Sequence, residues 1–204
     1  MRNVGTVVRG IRTPIIKDGD NLADIVVNSL LDAQKSEGFQ FKNRDVVAIT
    51  EAVVGISEGN YASVDNIATD IKRKLNNPEE LGIVFPILSR NRFSLILKGI
   101  ARSTKKLYVQ LSTPADEVGN GILDEEKFDN SNYTLSSVIT EEDYKRDFGD
   151  WLHPFTGINM IDFYRELIEA EGCEAVFVLS NKATDILKYT KNVIACDIHT
   201  RFKT

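Results

Sequence analysis

Short apolar runs of the β-strand type alternate along this chain with segments whose apolar residues recur at helical spacing. The clearest helical segment lies between Asp20 and Gly38, where apolar residues recur every three or four positions. Such alternation is typical of α/β proteins, because helices cover the faces of a sheet. We therefore predict an α/β fold with a mixed β-sheet and flanking helices.

The last part of the sequence shows this alternation most clearly. The run EAVFVLS is followed by NKATDILKY and then by NVIACDI. Parallel strands need a crossover connection, usually a helix, so this order is compatible with parallel pairing. We predict that Glu174 to Asp197 forms a parallel strand–helix–strand unit.

The same patterns predict further elements. Strands or extended segments are expected at NVGTVV, DVVAIT, AVVGIS, GIVFPIL and LYVQLS. Helices are expected at residues 64–75 and 159–172 and after Ser89, which is a suitable N-cap. Thr140 and Asp143 form a capping box that predicts one more helix start.

Composition excludes several classes of protein. The chain has 204 residues, 42% of them hydrophobic, which is enough to build a core. A net charge of -5 argues against nucleic-acid binding, which needs a basic face. No apolar run approaches the roughly 18 residues of a membrane span. Cys173 and Cys196 lack CxxC spacing and are expected to be free thiols of a cytoplasmic protein.

The domain organisation offers few signals. We find no repeat and no linker, and only the polar residues 130–137 indicate a weak boundary. The chain stops at DIHTRFKT, directly after a buried strand, so we expect it to be a fragment of a longer protein.

The loop Pro114–Asp129, which follows the strand LYVQLS, has six carboxylates and two glycines. It is either a solvated acidic loop or a metal site, with Asp116 and Asn120 flanking Gly119, where backbone can approach a ligand closely. Six basic residues and no acid lie between Ser89 and Lys106 just before it. They either neutralise the acidic loop or share a polyanion site with a metal ion.

Common catalytic signatures such as GxGxxG, Walker A, HExxH and GxSxG are missing from the sequence. His153 is expected to be structural, because WLHP is typical of a packed turn. Asp197 lies at the end of the last predicted strand, where α/β proteins bind ligands. A hydrogen-bonded structural role for Asp197 is equally compatible with this position.

The first 60 residues or so carry a more specific pattern. GIRTPIIKDGDNLADIVVNSLL, followed by DVVAITEAVVGISEGN, resembles the coenzyme F-420 γ-glutamyl ligase family. The matching residues are Gly10, Pro14, Ile16, Gly19, Asp20, Leu22, Asp45, Val46, Glu58 and Gly59. Residues 1–204 would then be the N-terminal domain of such a ligase.

This resemblance implies a ligase that depends on GTP and on Mg2+ or Mn2+, and that joins glutamate through its amine to the carboxylate of an acceptor. It also implies a homodimer. The residues that it implies for nucleotide binding are Thr13, Pro14, Ile15, Ile16, Glu51, Ala52 and Asn120. For the metal it implies Asp116 and Asp197.

The chain departs from the family pattern at three places. The family's lysine falls on Ile56, its hydroxyl pair falls on Glu51-Ala52, and its Asp-Thr motif has become Asp197-Ile198. A non-catalytic binding or regulatory domain on the same scaffold is therefore the alternative to a ligase.

Two geometric expectations follow. Asp116 and Asp197 each follow a predicted strand, and neighbouring strand ends bring side chains within bridging reach, so we expect the two carboxylates to lie close enough to share a metal ion or a phosphate. If the two strands are not neighbours, each Asp instead caps its own loop. The turn Thr13 to Ile16 should face a groove near Glu51.

Overall fold

A computed structural model describes residues 5–196, which form two compact units that divide between Ala62 and Ser63. The weak boundary predicted at residues 130–137 instead lies inside the second unit. Its polar residues close local turns, since Ser131 donates to the Phe128 carbonyl and Ser137 accepts from the Thr134 amide. A polar surface loop of one domain has the same composition as a linker.

The first unit contains two helices. Helix α1 (Leu22–Glu37) begins after Asn21, whose side chain accepts a hydrogen bond from the Asp24 amide at 3.3 Å. It ends at Gly38, which has a φ of 68° and so provides the left-handed cap that glycine allows. Helix α2 (Glu51–Ser57) follows Thr50.

The extended segments predicted for this unit are not regular strands. Residues 5–8 of NVGTVV and all of DVVAIT lie outside helices and strands, whereas AVVGIS is wrong as an extended piece because it lies in α2. The first two residues of NVGTVV are outside the described part of the chain. A strand needs a hydrogen-bonded partner, and residues 5–62 include no paired strand. A short apolar run such as AVVGIS does not by itself distinguish a strand from a helix.

The second unit is built on a five-stranded mixed sheet. Its strands are β1 (Glu80–Val84), β2 (Lys106–Leu111), β3 (Ile139–Thr140), β4 (Glu174–Leu179) and β5 (Val193–Ala195). Their order in the sheet is β3-β4-β2-β1-β5, and all are parallel except β3, which is antiparallel to β4. The predicted α/β class with a mixed sheet is confirmed.

The helices of this unit cover both faces of the sheet. They are α3 (Val64–Lys74), α4 (Phe93–Ala101), α5 (Glu125–Asp129), α6 (Glu141–Asp147) and α7 (Met160–Glu169), with a 3-10 helix at Ala183–Lys188. Helices α4 and α7 pack together over the face that carries Ile83, Val109 and Phe177, which are at most 1% exposed. The 3-10 helix covers the other face, where Ile186 packs on Gly82 so closely that a Cβ there would lie 2.6 Å from its Cγ1.

Strands β4 and β5 run parallel in the same sheet, as predicted, but they are not neighbours. Strands β2 and β1 lie between them, and the connection is the 3-10 helix. After β4 the chain therefore passes over β2 and β1 and adds β5 at the far edge of the sheet.

Two predicted helix starts can be compared with the structure. Thr140 caps α6 by accepting a hydrogen bond from the Asp143 amide, which confirms the prediction. Ser89 accepts from the Arg92 amide at 3.1 Å, so it caps the turn before α4 rather than α4 itself.

Glu141 connects three elements of the second unit. Its carboxylate forms ion pairs with Lys145 of α6 and Arg165 of α7, and it accepts from the Phe177 amide of β4. Burial raises the pKa of Glu141, but the hydrogen bonds from Lys145 and Phe177 and the charge of Arg165 outweigh burial and lower this pKa below its ordinary value.

Both cysteines are free thiols, as predicted. Cys173 is buried beside β4, and burial raises the pKa of its thiol to about 12. Among residues 5–196, no helix is both long enough and apolar enough to span a membrane.

Candidate functional site

The carboxyl ends of β1 and β2 open into a cleft of about 200 Å3 within the second unit. The loops after both strands reach it, and so does the segment that leads into α7, because a helix between parallel strands begins at their carboxyl edge. Its polar lining residues are Ser89, Arg90, Asn91, Asn120, His153 and Thr156. The chain leaves β1 through Phe85 with a φ of 54°, a strained conformation for a bulky residue and one often found at functional sites.

Asp116 organises the loop on one side of this cleft. Its Oδ1 accepts hydrogen bonds from the amides of Val118 at 3.1 Å and Asn120 at 2.8 Å. Its Oδ2 accepts from the Leu88 amide at 2.9 Å and from Asn120 Nδ2 at 2.7 Å. Because a carboxylate offers about four lone-pair sites, these bonds occupy all of them. Asp116 therefore joins the loops after β1 and β2.

The described residues do not form a metal site around Asp116. Residues 5–196 contain no cluster of three or more Asp, Glu, His or Cys side chains able to hold a metal ion. Asp124, in the same loop, accepts from the Lys127 amide as the cap of α5. Two of the six acids of the loop, Asp116 and Asp124, thus accept backbone hydrogen bonds that shape it.

The second predicted metal ligand, Asp197, lies outside the described residues. The strand before it, β5, is separated from β2 by β1. The expectation of neighbouring strands was therefore wrong, and the two strand ends are about two spacings, or ~9.6 Å, apart. That Asp116 and Asp197 share a metal ion stays a prediction.

Within the described residues, three of the six basic residues between Ser89 and Lys106 form ion pairs, and their partners are acids outside the loop. Arg102 forms ion pairs with Asp65 and Glu171 at 2.7 and 2.5 Å. The lysines at 105 and 106 form ion pairs with Glu79 and Glu174 at 2.7 and 2.8 Å. None of these partners belongs to residues 114–129, so the ion pairs of the described residues give no support to neutralisation by the acidic loop.

His153 lies in a hydrogen-bonded turn, but Leu152 and Phe155 beside it are 54% and 94% exposed, so the turn is not packed as predicted. Its carbonyl accepts from the amides of Thr156 and Gly157, and its Nδ1 accepts from the Phe155 amide at 3.3 Å. The ring also lies 6.2 Å from Trp151, between ring centroids. What the sequence did not indicate is that this turn lines the cleft together with Arg90 and Thr156.

One hydroxyl fixes the opposite wall of the cleft. Tyr164 of α7 donates to the Ile87 carbonyl and accepts from the Ser89 amide at 2.8 Å. Burial raises the pKa of this phenol well above its ordinary value, so it remains a neutral donor. No sequence signal connects Tyr164 with residues that lie 75 positions earlier.

The predicted nucleotide residues of the first unit lie at two grooves. Thr13 and Pro14 line a groove of about 1160 Å3 against α1, which is large enough for a nucleotide. Thr13 and Ile16 line a second groove of about 350 Å3 with residues 46–50 and Val53. Ile15 is exposed, and residues 51 and 52 open α2 directly after this second groove. The turn Thr13 to Ile16 therefore lines a groove with residues 46–50, which directly precede Glu51 in the sequence. Asn120 lies in the second unit.

Comparison with known proteins identifies the family. The family model described as F420-0:Gamma-glutamyl ligase matches residues 10–195, which include parts of both units. No curated protein and no solved structure shows significant similarity to the chain. Because the match covers well over half of the sequence, the chain belongs to the F420-0:gamma-glutamyl ligase family.

Proposed function

We propose that this protein is a γ-glutamyl ligase that joins L-glutamate through its amine to the carboxylate of an acceptor, at the expense of GTP. The observation that carries this proposal is the family match over residues 10–195. The family is one of amide-bond-forming ligases, and the match extends far beyond the N-terminal motif.

The chemistry requires activation of the acceptor carboxylate. One of its oxygens attacks the γ-phosphorus of the nucleotide, forming an acyl phosphate and releasing the nucleoside diphosphate. The free amine of glutamate then attacks the acyl carbon, the amide bond forms, and inorganic phosphate leaves with the electrons of the broken C–O bond and takes up the proton that the amine loses. Such a reaction needs positioning and charge neutralisation more than a covalent nucleophile.

We assign nucleotide binding to the grooves beside Thr13 to Ile16. The larger groove is also lined by Arg9 and Arg12, which can bind a phosphate chain, and by the acids Asp32 and Glu37, so the charges of its lining are balanced. Glu51 and Ala52 at the start of α2 are the remaining contacts proposed in this unit. The resemblance also implies Asn120, which belongs to the second unit.

Mg2+ or Mn2+ is expected to accompany the nucleotide. The described residues do not fit a preformed metal site, because Asp116 uses all its acceptor positions within the protein. The proposed steps therefore do not pass through a protein-bound metal. Loss of Mn2+-dependent stabilisation in the Asp116→Asn, Asp197→Asn double variant would support the shared-metal hypothesis, and an unchanged metal response would reject it.

A non-catalytic binding or regulatory domain is the alternative. Ile56 stands where the family has a lysine, and this residue lies within α2, next to the proposed nucleotide contacts. A protein that binds GTP in calorimetry but produces no phosphate with any acceptor would match this alternative.

The direct experiment incubates the purified protein with GTP, Mn2+, L-glutamate and the F420-0 acceptor. We expect phosphate release that requires both glutamate and acceptor, and a product heavier than the acceptor by one glutamyl residue. D-Glutamate is the matched control. Nucleotide hydrolysis that is independent of glutamate, without the heavier product, would contradict the proposal.

We further propose that the protein acts as a homodimer in the cytoplasm. Large apolar side chains of the first unit are exposed, among them Val8 at 88% and Val46 at 87%, which supports burial against a partner. Sedimentation equilibrium would test the dimer, and a monomer at micromolar concentration would contradict it.

A further inference from the structure

Asn120 and Gly121 form the only Asn-Gly dipeptide of the chain. In such a dipeptide the backbone nitrogen of the glycine can attack the side-chain carbonyl carbon of the asparagine, because glycine has no side chain to hinder the attack. The asparagine is then converted to aspartate or isoaspartate without an enzyme. Asn120 is therefore the asparagine of this sequence at which the conversion is chemically most favourable.

The reaction balances with water as its only co-reactant. The Gly121 nitrogen loses its proton and bonds to Asn120 Cγ, while the bond between Cγ and Nδ2 breaks and ammonia leaves with that proton. Water then opens the resulting cyclic imide at one of its two carbonyl carbons. One direction of opening gives aspartate. The other gives isoaspartate, in which the main chain is longer by one carbon atom.

The local backbone leaves the Gly121 nitrogen available for this attack. Gly121 faces Ala115 in an antiparallel bridge, but the two hydrogen bonds of the bridge, at 2.9 and 3.0 Å, are made by the residues on either side of this pair. Among residues 5–196, the Gly121 amide donates no backbone hydrogen bond. Asn120 and Gly121 are both partly exposed, so water can reach them.

Packing favours glycine at position 121. A Cβ there would lie 3.3 Å from Trp151 Cη2, which is closer than ordinary van der Waals contact. A larger residue would therefore have to displace the indole ring. The fold thus retains the residue that makes Asn120 reactive.

Asp116 restrains the side chain of Asn120 in the closed loop. Its Oδ2 accepts from Asn120 Nδ2 at 2.7 Å, and its Oδ1 accepts from the Asn120 amide at 2.8 Å. Cyclisation joins Cγ to the backbone and expels Nδ2, so it requires that the hydrogen bond between Nδ2 and the carboxylate breaks. This bond is of the stronger kind, because its acceptor is charged. The closed loop is therefore the protected state, and the open loop is the reactive one.

The products oppose closure of the loop. After conversion to aspartate, a carboxylate takes the place of the amide that donated to Asp116, and two carboxylates at this distance repel each other. In isoaspartate, the longer main chain also shifts the register of the bridge to Ala115. Both products therefore favour the open loop.

We propose that Asn120–Gly121 is a deamidation site that Asp116 keeps unreactive, and that opening of the loop converts Asn120 and prevents the loop from closing again. The loop after β2 then acts as a one-way device that retains a record of its own opening. Its reactants are the chain and water, so the inference does not depend on the proposed ligase activity.

The test follows the conversion of Asn120 by peptide mass spectrometry in mildly alkaline buffer. In urea the loop is open in every variant, so wild type and Asp116→Asn should convert at equal rates. Folded wild type should convert at least ~10 times more slowly than unfolded wild type, because the reaction waits for local opening. Equal rates in folded and unfolded wild type, or no conversion in urea, would overturn the proposal.

Asp116→Asn tests the restraint by the carboxylate. The folded variant should convert about tenfold faster than folded wild type, as expected for loss of a hydrogen bond to a charged group. Asp129→Asn is the matched control, because it removes an exposed acid of the same acidic loop, and its rate should stay within about twofold of wild type. A folded Asp116→Asn protein that converts no faster than this control would show that Asp116 does not protect the site.

Two substitutions of Asn120 test whether the step is one-way without requiring the reaction. Asn120→Asp carries the charge of the aspartate product, whereas Asn120→Ala loses the same hydrogen bond without adding a charge. Because like charges repel, Asn120→Asp should melt about 2–4 °C below Asn120→Ala. An Asn120→Asp variant that melts at the same temperature as Asn120→Ala, or higher, would overturn the claim that the product keeps the loop open.

Discussion

Replacing Asp116 by Asn tests whether this carboxylate holds the loop rather than a metal ion. The side-chain amide of Asn can take two orientations. In each of them one carboxylate oxygen is replaced by an NH2 group, which cannot accept the two hydrogen bonds that this oxygen accepts in wild type. The affected pair is Val118 N with Asn120 N, or Leu88 N with Asn120 Nδ2. Two hydrogen bonds to a charged acceptor contribute ~3–6 kcal/mol if fully buried. Because the loop is only partly buried, we expect a loss of about 2–3 kcal/mol.

The chain offers a built-in probe for this measurement. Trp151 is its single tryptophan, and its ring packs on Gly121 beside the loop, where a Cβ would lie 3.3 Å from Cη2. Tryptophan fluorescence in a urea titration should therefore report unfolding of the second unit. A loss of this size corresponds to a melting temperature lower by roughly 4–12 °C for a domain of this length.

Asp129→Asn is the matched control, because Asp129 is an exposed acid of the same acidic loop. Its free energy of unfolding should stay within about 0.5 kcal/mol of wild type. An Asp116→Asn variant equally close to wild type would refute the structural role and leave the carboxylate available for a metal ion.

Three further predictions concern the second unit. The folded pKa of Glu141 lies below its ordinary value of 4.5, so the stability that its carboxylate contributes is complete above pH 4.5 and is lost as the pH falls through the folded pKa. In urea titrations, the free energy of unfolding of Glu141→Gln should therefore fall less than that of wild type between pH 6 and pH 3. An equal fall in both proteins would contradict this prediction. Gly99→Ala should destabilise the second unit by about 1–3 kcal/mol in the same assay, because the added Cβ on α4 would lie 2.7 Å from Ile67 Cβ on α3. A variant as stable as wild type would show that α3 and α4 can separate freely. The Cys173 thiol should react slowly with a thiol reagent at pH 8 in the native state and rapidly in denaturant, because its pKa is about 12; rapid native labelling would disprove its burial.

The sequence predicted what depends on local pattern and missed what depends on distant contacts. Strands β1, β2, β4 and β5 and the cap at Thr140 follow from periodicity and short-range hydrogen bonds, and they are confirmed, whereas the two-residue strand β3 was not predicted. The extended segment AVVGIS was wrong because an apolar run without alternation fits a helix as well.

The candidate site shows the same division. The acids and glycines of the loop after β2 indicated either a solvated acidic loop or a metal site. That Asp116 accepts from the Leu88 amide could not be inferred, because the two lie 28 residues apart. Nor does any pattern bring Arg90 and His153 to one cleft, since this depends on the order of the strands and on the direction of α7.

The hydroxyl of Tyr164 has a consequence for how tightly the cleft can bind a small ligand. By bonding to Ile87 and Ser89, it fastens the loop that carries Arg90 to α7, the helix that begins just after Thr156. The backbone of the two walls is therefore tied together, and little loop rearrangement is needed when a ligand enters. Association then costs little loop entropy, so even a molecule with few atoms can be held firmly. The fixed width of the opening also discriminates by size, since the walls do not separate to admit a longer molecule.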